Sequence, residues 1–267
     1  MLKQRVITAL ILAPLVIWGI LSLPEAWFAL LLAVVVLGGF WEWSAFVTSK
    51  MAGRFLYLVI GVGVLSLFYI MATPEVWKAT PWLGIGWLIV ASLLVIRYPK
   101  ISPLWQQNRF LKSIVGLLIL IPMWVSVIEI QRSVGAEFVL LLMLMIWGAD
   151  TGAYFAGRQW GKNKLAPAVS PGKSWEGVFG GLITAVAVAL IATIWLEPPF
   201  EIMLFGVTAL VVSAVSVMGD LIESLFKRIT GIKDSGHILP GHGGVLDRID
   251  SLTTAAPIFY LALIWLS

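Results

Sequence analysis

The chain has 267 residues, of which 60% are hydrophobic and 12% charged, with a mean hydropathy of +0.98. Soluble domains carry about 25% charged residues, so this share excludes an ordinary soluble globule and points to a polytopic membrane protein. The net charge is +4, with no cysteine and two histidines; this excludes disulfides and thiolate metal sites, leaves little for a histidine-based zinc site, and favours anionic surfaces or substrates.

A membrane-spanning helix needs about 17–25 mostly apolar residues. Nine runs qualify, at roughly 6–23, 26–47, 55–73, 79–96, 111–130, 138–156, 177–196, 201–218 and 252–266. The expected fold is all-α, a single integral membrane domain over 1–267 with about nine transmembrane helices. The first run follows Lys3 and Arg5, as a signal peptide would. No small-x-small cleavage site follows it, so it reads as an uncleaved span.

Lysine and arginine set orientation. With nine spans, 16 of the 18 basic residues fall on the side of the N-terminus, and only Lys78 and Arg132 fall on the other. The N-terminus is therefore expected in the cytoplasm and the C-terminus outside, in the inner membrane if the source is bacterial. The external connections, near Pro24-Glu25, Thr73–Pro81, Arg132–Glu137 and Leu196–Glu201, read as short turns. The cytoplasmic connections 157–176 and 219–251 are longer and polar. Basic residues confined to short segments between apolar runs do not suggest nucleic acid. Spans up to about residue 130 read mainly as scaffold, and 138–266 as the part that carries a cytoplasmic-face site.

In the sixth span, Asp150 follows a long apolar run, and a carboxylate at that depth is costly and usually functional. Gly148/Gly152 and Ala149/Ala153/Gly157 repeat at intervals of four and permit close helix packing. In the next loop, Gly172-Lys173-Ser174 resembles a nucleotide-binding P-loop, but the first glycine of that motif would fall at Pro167 and no soluble strand is expected before it. Lys173 and Ser174 are expected to open an apolar helix, where phosphate is favoured. At the end of the eighth span Asp220 and Glu223 share a helix face. Asp247 and Asp250 repeat that spacing before the ninth span, where they also suit the helix N-terminus. Asp220 beside Asp247 would offer oxygen ligands suited to Mg²⁺.

The densest polar segment is 224–250, SLFKRITGIKDSGHILPGHGGVLDRID. It sets Lys227, Arg228, Lys233 and Arg248 among Asp234, Asp247 and Asp250, with Gly241, Gly243 and Gly244 around His242. Glycines let backbone N–H groups approach an anion closely. Both charge signs beside a membrane suit a polyanion and its metal ions.

This segment resembles the signature of the CDP-diacylglycerol synthase family, also called phosphatidate cytidylyltransferase. The likeness rests on Ser224, Lys227, Arg228, Lys233, Asp234, Pro240, His242, Gly243, Gly244, Asp247, Arg248 and Asp250. The nine spans, the Asp150 segment and Ser170–Gly177 extend it over the C-terminal half, whereas the N-terminal half matches only in hydropathy and topology.

The resemblance implies that CTP and phosphatidate give CDP-diacylglycerol and pyrophosphate with a divalent metal. Mg²⁺ is the expected cofactor, with a second cation in a two-cation centre. Asp220 and Asp247 are expected metal ligands, joined by Asp150 or Asp250, and Lys173 completes the catalytic set. Ser174, Lys227, Arg228, Lys233, Asp234 and Arg248 are expected substrate-binding residues, and His242, Gly243 and Gly244 an anion-binding turn. Expected partners are CTP, phosphatidate, membrane lipids and a second copy in a homodimer. Two other readings stay open: another membrane lipid-phosphate transferase such as a CTP-dependent lipid kinase, and an anion transporter, for which neither inverted repeats nor paired broken helices are evident.

Overall fold

Long apolar runs fold as helices in a bilayer because no water is present to satisfy an open backbone. The computed structural model describes residues 2–100, 102–196, 201–232, 235, 236, 238 and 243–266, with backbone alone for 2–7 and 9. It contains helices α1 Leu2–Ser22, α2 Glu25–Val47, α3 Met51–Met71, α4 Pro74–Arg97, α5 Ser102–Gln106, α6 Arg109–Ser133 and α7 Ala136–Trp160. A hairpin of β1 Lys164–Ala166 and β2 Ser170–Ser174 follows, and then α8 Trp175–Leu196, α9 Ile202–Thr230 and α10 Leu246–Leu266. Eight helices, α2 to α4 and α6 to α10, are long and apolar enough to cross a membrane, and α1 adds a shorter apolar stretch, Leu10–Ser22. The protein is an integral membrane protein, and all nine expected spans are helices.

Helix α6 is central. Leu120, Met123, Val125, Ser126, Ile128 and Ile130 have no exposed surface, and α2, α4 and α10 pack around them. Lipid is as apolar as leucine, so helices associate through close packing rather than water exclusion. Helices α7 and α8 show this best. A Cβ at Gly152 would lie 2.2 Å from Thr184 Oγ1 and 2.7 Å from the Gly180 carbonyl, and one at Gly181 would lie 2.7 Å from the Ala149 carbonyl. The small-residue stripe of the sixth span is thus spent inside the chain and lends no support to a dimer.

Three boundaries differ from the sequence expectation. Helix α4 starts at Pro74, in its first turn, where proline's missing N–H costs nothing, so the expected turn at 73–81 is mostly helix. Helix α9 runs to Thr230 rather than 218, because the charged stretch is amphipathic: Leu221, Ile222, Leu225, Phe226 and Ile229 are all buried. It stops at Gly231, whose φ of 74° is left-handed, with the Ile232 N–H on the Lys227 carbonyl at 3.0 Å, a glycine C-terminal stop. Helix α10 starts at Leu246 rather than 252. The expected loop 219–251 is therefore two helix ends joined through residues 231–245. The segment before α8 is also corrected: a strand does precede the helix, and Lys173 and Ser174 end β2 rather than open α8.

Candidate active site

Two ion networks lie side by side where the C-terminal ends of α7 and α9 meet the N-terminal end of α10. The first is set by how closely α9 and α10 cross. A Cβ at Gly219 would fall 2.3 Å from the Asp250 carbonyl oxygen, and Thr254 Oγ1 donates to the Val215 carbonyl at 2.8 Å. Glycine at 219 therefore lets Asp220 and Asp250 face one site. Asp150, on α7, joins them: the three carboxylates interact electrostatically with one another and with Lys173, and Asp150 also with Arg248. Lys173 Nζ pairs with Asp220 Oδ2 at 2.7 Å, and Asp220 Oδ1 accepts from Ser224 Oγ at 3.2 Å. The Asp150 side chain is accessible at the surface of the bundle.

The hairpin delivers Lys173 to this site. Strands β1 and β2 pair antiparallel, with Lys164 opposite Ser174. Arg228 Nε donates to the Val169 carbonyl at 3.1 Å, tying the hairpin to α9. Ser174 is buried, and its Oγ accepts from the Gly177 N–H at 3.2 Å, an N-terminal cap for α8.

The second network centres on Lys227. Its ammonium pairs with Glu223 at 3.0 Å and with Asp247. Asp247 Oδ2 accepts from Ser235 Oγ and from the Gly244 N–H, both at 2.8 Å. Asp220 and Asp247, expected side by side, make their direct bonds in different networks.

A carboxylate from the N-terminal half completes this arrangement. Glu42, on α2, is 1% exposed. It accepts from the N–H of Val245 at 3.0 Å and of Leu246 at 2.7 Å, with Ser235 Oγ at 3.4 Å. A Cβ at Gly236 would sit 2.2 Å from Glu42 Oε1, and one at Gly244 2.4 Å from Oε2. Gly243 has a φ of 81°, and a Cβ there would approach Asp247 Oδ2 to 2.9 Å. The glycine turn binds anions as its composition suggests, but here they are the protein's own carboxylates. The one signal that could have found Glu42 is its position as a lone acid inside the second span. Lys233, Asp234 and His242 lie outside the described residues.

The donor chemistry suits a hard divalent cation, which takes carboxylate oxygens. Glu223 Oε1 is a buried carboxylate oxygen with no hydrogen-bond partner among the described residues. Among those residues no three acidic or histidine side chains converge as a ready metal cage. Instead the ammonium groups of Lys173 and Lys227 sit on the carboxylates.

These features define a polytopic helical membrane protein with a mixed-sign polar site at one end of its bundle. The chain belongs to the cytidylyltransferase family, which it matches over residues 3–266. It is 44% identical over 269 residues to a phosphatidate cytidylyltransferase of Pseudomonas aeruginosa, covering 99% of this chain and 97% of that one. It is 40% identical to a protein of the same name from Haemophilus influenzae, covering 97% of each, and 34% identical to one from Staphylococcus epidermidis, covering 98% of this chain and 99% of that one.

Proposed function

We propose that this chain transfers the cytidylyl group of CTP to phosphatidate, forming CDP-diacylglycerol and pyrophosphate. The observation that carries this reading is the electrostatic grouping of Asp150, Lys173, Asp220 and Asp250 beside the Lys227–Asp247 pair, in a chain that shares nearly its full length with phosphatidate cytidylyltransferases. A lipid phosphate oxygen attacks the α-phosphorus of CTP. A phosphorus–oxygen bond forms there, and the bond to the β-phosphate oxygen breaks to release pyrophosphate. The attacking oxygen is already ionised near neutral pH, so no strong base is required. The obstacle is bringing two polyanions together, and preorganised positive groups lower that barrier most.

Lys173 and Lys227 are the cations already aimed into the site, and Arg248 lies beside Asp150. Asp220, with Asp150 or Asp250, would hold Mg²⁺, and Asp247 with Glu223 would hold a second cation if Lys227 turned to a substrate phosphate. A bound divalent cation would supply charge neutralisation across the phosphates. Arg228 braces the hairpin that presents Lys173. Lys233, Asp234 and His242 belong to the same phosphate-binding segment of the sequence. The inner membrane is the proposed location, with the site and N-terminus cytoplasmic, and a homodimer the proposed assembly.

The reaction is tested with purified protein, CTP, phosphatidate and Mg²⁺, following CDP-diacylglycerol by mass and pyrophosphate by coupled assay. Equal amounts of both products are expected, and Asp220→Asn should reduce them together. Wild-type turnover in that variant would remove Asp220 from the site.

A further inference from the structure

A second polar cavity opens between the C-terminal end of α2, the α5–α6 connection and the C-terminal end of α9. Its volume is about 420 Å³, and Thr48, Gln106, Arg109, Lys112, Ile229 and Thr230 are among its lining residues. None of the acidic side chains of the active site lines it. Phe46 forms one wall, backed by Phe226 and Trp43, whose ring centroids stand 4.9 Å apart. The cavity is thus separate from the carboxylate cluster.

Its charge is one-sided. Among the described residues, Arg109 and Lys112 are the only charged ones in the lining, and both are basic. Lys112 is 4% exposed. Its Nζ donates to the Gln106 carbonyl at 3.1 Å, and among the described residues it forms no ion pair. A lysine that serves only to orient a membrane protein has no reason to be buried. A buried ammonium without a counter-charge is costly, and an anion offsets that cost.

The backbone contributes both signs, since the C-terminal ends of α2 and α9 face the N-terminal end of α6. Arg109 and Lys112 occupy the first turn of α6, a 25-residue helix, whose N-terminal end is electropositive. At the C-terminal end of α9, Gly231 N–H bonds the Arg228 carbonyl, Ile232 N–H the Lys227 carbonyl, and Thr230 Oγ1 the Phe226 carbonyl, which leaves the basic side chains as the main source of charge in the cavity. Both basic residues face the C-terminal ends of α2 and α9 across the cavity.

We propose that this cavity is an accessory phosphate-binding site, distinct from the active site, in which Arg109 and Lys112 hold the phosphate of an anionic phospholipid headgroup or a free phosphate. The inference does not depend on the transfer reaction. Thermal unfolding of the detergent-purified chain tests it, with titration of short-chain phosphatidylglycerol, short-chain phosphatidylcholine or inorganic phosphate. A saturable rise in Tm is expected with phosphatidylglycerol, phosphate or both; a response to lipid alone assigns a headgroup, and a response to phosphate assigns a soluble anion. Arg109→Gln and Lys112→Met should each weaken the apparent affinity about tenfold or more, as loss of a charged hydrogen bond does. Asp220→Asn should leave it unchanged. Arg109 is exposed, so its variant remains informative even if replacing Lys112 impairs folding. The proposal is overturned by no rise, by an equal rise with phosphatidylcholine, by wild-type affinity in Arg109→Gln, or by loss of the response in Asp220→Asn.

Discussion

Glu42 offers the sharpest mutational test, because it reaches the site from a helix far away in sequence. It accepts the N–H groups of Val245 and Leu246, where α10 begins and Asp247 takes its position. Glu42→Gln keeps the shape, but an amide presents one oxygen and one NH₂ where the carboxylate presents two oxygens. One N–H therefore loses its partner in a buried place. A hydrogen bond to a charged group is worth about 1.5–3 kcal/mol, so the start of α10 should loosen by about that amount. If the loss falls on the positioned state, kcat/KM drops roughly ten- to hundredfold, since about 1.4 kcal/mol is tenfold. Glu42→Ala removes both acceptors and should lose about twice that free energy. The assay is kcat/KM for cytidylyl transfer, with thermal unfolding to separate misplacement from global loss. Wild-type kcat/KM in Glu42→Gln would refute the argument, because the second oxygen would then be dispensable.

Three further outcomes follow from the contacts. Lys227→Ala strands the carboxylates of Glu223 and Asp247, and removing one member of a buried pair costs about 3–5 kcal/mol; an unchanged Tm would show that the pair is not desolvated. Gly152→Ala places a methyl group against Thr184 Oγ1 and the Gly180 carbonyl and should destabilise by about 1–3 kcal/mol through overpacking; a wild-type melting curve would mean that α7 and α8 separate easily. Chelation with EDTA should remove activity and added Mg²⁺ restore it, whereas full turnover in EDTA would leave the carboxylates without their proposed cation.

Hydropathy disclosed the nine spans because each run is mostly apolar, with at most a few charged residues. It failed where helices become amphipathic. Asp220, Glu223, Lys227 and Arg228 lower the local hydropathy, yet Leu221, Leu225 and Ile229 keep one face of α9 buried out to Thr230. The hairpin at 164–174 was not legible, since β1 spans three residues and pairs only through its partner strand. Segment 224–250 stood out by charge density, and the structure brings most of its described polar residues into two networks. How Asp220 and Asp247 divide between them depends on Gly219, Lys173 and Lys227, contacts that spacing along the chain does not encode. Glu42 was not singled out, because its partners lie two hundred residues away, and of the small residues that admit it, Gly244 reads equally well as part of a turn for a substrate phosphate.

The fate of each phosphate of CTP separates direct transfer of the α-phosphoryl group with its nucleoside from phosphorylation of the lipid. Purified protein is supplied with CTP labelled separately at the α- and γ-phosphates, together with phosphatidate and Mg²⁺. The α-label is expected to enter the lipid while the γ-label stays in water as pyrophosphate, in equal amounts. Entry of the γ-label into the lipid would make the protein a lipid kinase, and an unlabelled lipid would contradict transfer altogether.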